Sequence, residues 1–243
     1  MDGHLSMMNM TSGRAVRVAF QGTVLAVFAL VMAKSLAQSL IPSPGCLYAT
    51  HVGDSEQPAC EMKDPLDLQQ NDHMLRAMKV LGIDRKTVQF RGCLGLLLSV
   101  SEMRGGAGPR YVVNYPADIP VVRLIAPLLH ELAHVAQMQE AGGATELSSL
   151  NNMMSKKIEL GADFLAGHLF KVEFKEFELN AFEQNLLVHG LYREMAGREH
   201  GDPRQRDLAF RRGVFGRDAD LVNATTSQLI RIFRDELYQL VIR

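Results

Sequence analysis

The chain has 243 residues, a net charge of −1, 47% apolar and 22% charged residues. That composition supports one globular domain with a substantial core and excludes a disordered or collagen-like chain. The balanced charge gives no footprint for nucleic acid, so none is expected as a partner.

Arg14 and Arg17 precede the apolar run T-V-L-A-V-F-A-L-V-M-A at 23–33, and K-S-L-A-Q-S follows with Ser35 and Ala37 in a small-x-small pattern. Basic, apolar, small is the order of a secretory signal. The run is shorter than the roughly 20 residues of a membrane span, so residues 1–37 read as a cleaved signal or, uncleaved, as an N-terminal membrane anchor. Met10 is an alternative start. The expected location is outside the cytoplasm, periplasmic or secreted, with membrane association through the apolar segment. Cys46 and Cys60 flank a short polar stretch and are expected to pair there, leaving Cys93 as a buried free thiol in G-C-L-G-L-L-L. Residues 38–64, with their prolines, read as a linker or irregular arm. A domain over 65–243 follows.

Asp64-Pro65 resembles a helix start, with a stop at Gly82. Thr87–Phe90 and the stronger Y-V-V-N-Y at 111–115 are strand candidates. Helices are expected over 120–140, 148–175, 178–196, 204–214 and 225–241. A few strands followed by many helices predict an α+β fold, predominantly helical, with a small sheet.

Within the first of those helices lies L-L-H-E-L-A-H-V-A-Q, Leu128–Gln137. Positions i and i+4 of a helix are about 40° apart, so His130 and His134 project side by side and both imidazoles can reach one metal ion. Glu131 stands where it can take a proton from an attacking water. Alone, the motif also fits two histidines on a buried helix face. A catalytic zinc needs three protein ligands. The extended H-E-x-x-H-x-x-G-x-x-H form fails, because Gln137 and Glu140 occupy its last two defining positions. K-K-I-E-L-G-A-D-F-L-A-G supplies an alternative: Glu159 and Asp163 share a face of an otherwise apolar helix, where two buried carboxylates demand a cation. Glu159 is the expected third ligand, and Asp163 the expected hydrogen-bond partner of a ligand imidazole.

H-E-L-A-H-V-A-Q followed by E-L-G-A-D-F-L-A-G resembles the gluzincin metallopeptidases, above all the bacterial neutral zinc metallopeptidase family. E-H-G-D-P-R-Q-R-D-L-A-F-R-R-G is similar to that family's H-G-x-x-x-Q-R…F-R-x-G segment. It is also similar to the H-P-x-x-x-R segment of the membrane-associated zinc endopeptidases related to the CAAX-processing enzyme. The resemblance implies a zincin-like fold, one Zn²⁺ held by His130, His134 and Glu159, and peptide-bond hydrolysis of a polypeptide substrate with Glu131 as general base. It further places His200 and Arg206 near the site, His200 as a donor to the developing oxyanion and Arg206 near substrate. Val112, Val113 and Asn114 are expected to offer a strand edge to an extended substrate. Two other readings remain. Gly92-Cys93-Leu94-Gly95 is similar to the G-C-L-S of peptide deformylases, where the cysteine is the third ligand. A non-catalytic, exported metal-binding or partner-binding domain is the other.

Overall fold

The computed structural model describes residues 47–51, 63–93, 98–105, 108–151, 154–188, 200–216, 221 and 223–243. All of them fall in one compact unit, Gly45–Arg243. The expected signal or anchor and the cysteines at 46 and 60 lie outside the described residues, as does the second half of the 178–196 helix. Among the described residues no helix is long and apolar enough to cross a membrane.

Four strands form one sheet: β1 (Leu47–His51), β2 (Val88–Cys93), β3 (Ser99–Arg104) and β4 (Tyr111–Pro116), in the order β1-β3-β4-β2. β1 runs parallel to β3, β3 antiparallel to β4, and β4 parallel to β2. The helices are α1 (Asp72–Leu81), α2 (Val121–Ala141), α3 (Ala144–Leu150), α4 (Ser155–Glu173), α5 (Leu179–Val188), α6 (Pro203–Phe215) and α7 (Thr226–Ile232). A π-helical turn, Phe233–Leu237, joins α7 to the short α8 (Tyr238–Val241). Register places Phe90 and Val100 on either side of Val113. These residues share a single core with Leu124, Leu128 and Leu132 of α2 and with α4. The result is the expected α+β arrangement, a small sheet backed by helices.

The differences from the sequence reading are local. α1 starts at Asp72 rather than at Pro65. Asn71 caps it, its side chain accepting from the backbone N–H groups of His73 and Met74. Asp64 is engaged elsewhere: Oδ2 accepts from the Gln69 N–H at 2.7 Å and Oδ1 from the Tyr115 hydroxyl at 2.6 Å. The helix does end at Gly82, whose φ of 70° is the left-handed conformation that closes helices without a Cβ penalty. β1 falls in what reads as an irregular arm, and β3, S-V-S-E-M-R, follows an apolar segment and carries no strand signal of its own. The 148–175 helix is two helices, α3 and α4, separated at Asn151.

Cys93 is buried, but it is disulfide-bonded rather than free. With three cysteines in the chain, that bond and a Cys46–Cys60 bond cannot coexist within one chain.

The most extensive helix contact is between α4 and α6. Glycines on both sides make it possible. A Cβ on Gly167 would lie 2.0 Å from the Phe210 carbonyl oxygen, and one on Gly213 2.1 Å from that of Phe164. The two backbones touch with no side chain between them. The start of α6 is fixed independently. Asp202 accepts from the Gln205 N–H, the Gln205 side chain accepts from the Asp202 N–H, and Pro203 occupies the first turn.

Gly167→Ala and Gly213→Ala should therefore each destabilise the fold, as overpacking does, by about 1–3 kcal/mol. Denaturant unfolding of either variant measures this.

Candidate metal centre

α2 is buried from Leu124 to Met138 without interruption. Pro127 lies inside it and removes the hydrogen bond to the Arg123 carbonyl, one turn before the histidines, so the ladder through His130 and His134 stays whole. α4 is buried from Ile158 to Phe170. Two helices buried on all sides are rigid supports for side chains that meet between them.

His130, His134 and Glu159 meet there. The two Nε2 atoms are 3.1 Å apart. Glu159 Oε2 lies 3.1 Å from His130 Nε2 and 3.4 Å from His134 Nε2. Zinc bonds of about 2.0–2.1 Å to nitrogen and oxygen imply a tetrahedral edge of about 3.3 Å. The three donors thus form one face of a tetrahedron of the right size, and two nitrogens with one carboxylate oxygen are a zinc donor set. These residues form a single-ion centre of the H-E-x-x-H…E gluzincin pattern.

Each imidazole is held from behind. His130 Nδ1 donates to Asp163 Oδ1 at 2.9 Å, which directs its Nε2 lone pair at the metal position. His134 Nδ1 lies 2.9 Å from Gln137 Oε1, and Gln137 Nε2 donates to the Ile158 carbonyl at 2.9 Å. Asp163 is in turn gripped by Arg206, Nε on Oδ2 at 2.7 Å and Nη2 on Oδ1 at 2.5 Å. Asp163 is 0% and Arg206 1% exposed. Arg206 therefore lies behind the ligand shell, its guanidinium directed at Asp163.

The electrostatics follow from burial. Burial opposes ionisation of Asp163, yet the Arg206 guanidinium and His130 hold its carboxyl below the usual carboxylate range. Burial likewise opposes ionisation of Glu159, and His134 and His130 outweigh it. Burial also works against a charged His130, but Asp163 and Glu159 lift its pKa to about 10. The two carboxylates hold positive charge between them, carried by a proton on His130 or by a metal ion that displaces it. Glu131 is different. It is 0% exposed, and among the described residues neither carboxylate oxygen has a hydrogen-bond partner. Burial pushes its pKa up to about 7 against the pull of His134 and His130.

His200, three residues ahead of α6, brings Nε2 to 3.7 Å from Glu159 Oε1. That is beyond hydrogen-bond reach. It sits beside the metal ligands, as the resemblance implies.

One expectation is corrected and one alternative falls. Val112, Val113 and Asn114 lie on β4, an inner strand paired with β3 on one side and β2 on the other. Its backbone groups are already engaged, so it offers no edge to a substrate. The outer side of β2 is also occupied: the Gln69 side chain bonds Val88 O and Phe90 N, and Lys63 O accepts from Gly92 N. Cys93 is no third ligand, since its sulfur is in a disulfide and Glu159 completes the trio. The site also holds a residue that motif reading passes over. Gln137 follows His134 by three positions, which puts it on the same helix face. That spacing was the available signal.

No protein-family model, curated protein or solved structure matches the chain. The site defines the class of the centre: a His/His/Glu zinc centre on a helical α+β scaffold, of the kind that serves catalytic zinc hydrolases.

Asp163→Asn would leave the Arg206 guanidinium buried without its carboxylate. The expected cost is about 3–5 kcal/mol, as for other broken buried pairs, read by urea unfolding of metal-free protein. Zinc affinity should fall about 10–100-fold, read by chelator competition.

Proposed function

We propose that the chain is a zinc-dependent metalloendopeptidase. The observation that carries this reading is the buried, unpartnered Glu131 carboxylate beside a complete His130/His134/Glu159 trio. Binding a metal does not require Glu131. A desolvated carboxylate whose pKa approaches neutrality is suited to accept and return a proton at working pH. Zinc, when bound, polarises the scissile carbonyl and acidifies the attacking water toward a pKa of about 7. The chain's own residues do the rest. Glu131 takes the proton and delivers it to the leaving amine. Asp163 keeps the His130 Nδ1 proton in place, and Arg206 fixes Asp163. The donor to the developing oxyanion in this reading is His200, which flanks Glu159.

The substrate is a polypeptide, and the catalytic domain lies within the compact unit Gly45–Arg243, whose sheet takes in β1. The enzyme works outside the cytoplasm. Support comes from the disulfide at Cys93 and from the basic, apolar, small order of residues 14–39. The same apolar run at 23–33 supports association with a membrane where it is not cleaved.

Glu131→Gln should keep one zinc per chain by elemental analysis. Hydrolysis of an unfolded polypeptide should drop about 10²–10⁴-fold. Undiminished hydrolysis would refute the role of Glu131. Glu159→Ala should release the metal under the same dialysis that leaves the wild type loaded.

A further inference from the structure

The two ligand imidazoles are backed unequally. Behind His130 stands a carboxylate, Asp163, itself held by Arg206. Behind His134 stands a neutral amide, Gln137. We propose that Gln137 is a positioning residue for the metal: its Oε1 fixes the Nδ1–H tautomer of His134, and its Nε2 locks that arrangement to the helix that supplies Glu159. The inference rests on the metal-binding reading of His134.

Three observations converge on it. Gln137 Oε1 is 2.9 Å from His134 Nδ1, so the imidazole proton is directed away from Nε2 and the lone pair toward His130 Nε2 and Glu159 Oε2. An amide oxygen only accepts, so this contact admits one tautomer; its NH₂ group cannot exchange roles while it donates to the Ile158 carbonyl at 2.9 Å. Ile158 immediately precedes Glu159, so one side chain ties a metal ligand on α2 to the backbone that carries the metal ligand on α4. Finally, room has been left for the amide. A Cβ on Gly161 would stand 2.6 Å from Gln137 Nε2.

The neutrality of Gln137 also has a consequence for charge. Asp163 is balanced by Arg206, so the metal faces one uncompensated ligand carboxylate, Glu159, with Glu131 alongside.

The test compares Gln137→Leu, Gln137→Glu and Gly161→Ala with the wild type in the full chain. Three readouts are needed: zinc affinity by chelator competition, the visible spectrum of the cobalt(II)-substituted protein, and thermal unfolding of the metal-free form. Gln137→Leu removes the acceptor and should weaken zinc binding about 10–100-fold and alter the cobalt spectrum. Gln137→Glu keeps an acceptor for His134 and should restore most of the zinc affinity. Gly161→Ala displaces the Gln137 amide without removing it and should reproduce the Leu phenotype, which keeps the test decisive if Gln137→Leu does not fold. Wild-type zinc affinity in both Gln137→Leu and Gly161→Ala would overturn the proposal. So would equal losses of affinity in Gln137→Glu and Gln137→Leu, because Gln137 would then serve only as a tether to Ile158. A wild type that holds no zinc would overturn the site itself, and this inference with it.

Discussion

Two carboxylates buried on one helix set the terms for everything around them. Glu159 and Asp163 lie one turn apart in a helix with no water to solvate them. Desolvation of an isolated carboxylate is prohibitive, so each requires a cation within hydrogen-bond reach. Asp163 has the Arg206 guanidinium. Glu159 has the imidazole pair and the metal ion they imply. The placement of α6, the glycines that let it approach, and the buried course of α2 from Leu124 to Met138 are all conditions for meeting those two requirements at once. Seen this way the zinc centre is a charge-neutralising element of the core as well as a reactive one. Its removal leaves a buried acidic group relying on protonated histidine.

The metal ligands were legible in the sequence because helical spacing is rigid. Residues four apart share a face whatever the tertiary setting, so His130/His134 and Glu159/Asp163 could each be paired on paper, and the apolar residues around them marked both pairs as buried. The helix stop at Gly82 was equally legible. What failed depended on long-range competition. Asp64 looks like a cap, and whether it caps a helix or receives the Tyr115 hydroxyl depends on a strand 51 residues away. The role assigned to β4 failed for the same reason. Y-V-V-N-Y announces a strand, but only the sheet order determines whether that strand is an edge, and β1 and β3, which help to decide it, carry weak local patterns. The disulfide at Cys93 belongs with these. The zinc helix could be read without any of them.

The third motif is informative because its parts have separable tasks. In H-G-D-P-R-Q-R-D-L-A-F-R-R-G, Gly201 adopts φ of 88° and Asp202, Pro203 and Gln205 start the helix. Arg206 reaches Asp163 and Gly213 permits the crossing. His200 alone faces the metal ligands. A segment that reads as one functional signature is thus mostly a device for delivering one guanidinium to the back of the ligand shell.

The spacing of these contacts in the chain has a kinetic corollary. The ligand trio closes over 29 residues, between two helices that have the short α3 between them in the chain. The Arg206 clamp closes over 43 and needs the α4–α6 crossing to be in place. Shorter loops close sooner, and the entropy of closing them is smaller. The helical hairpin that holds the metal is therefore able to form ahead of the clamp. A chain in which α2 and α4 have met already presents its three donors, and an ion captured at that stage would act as a nucleus for the second half of the fold rather than as a late addition to a finished one.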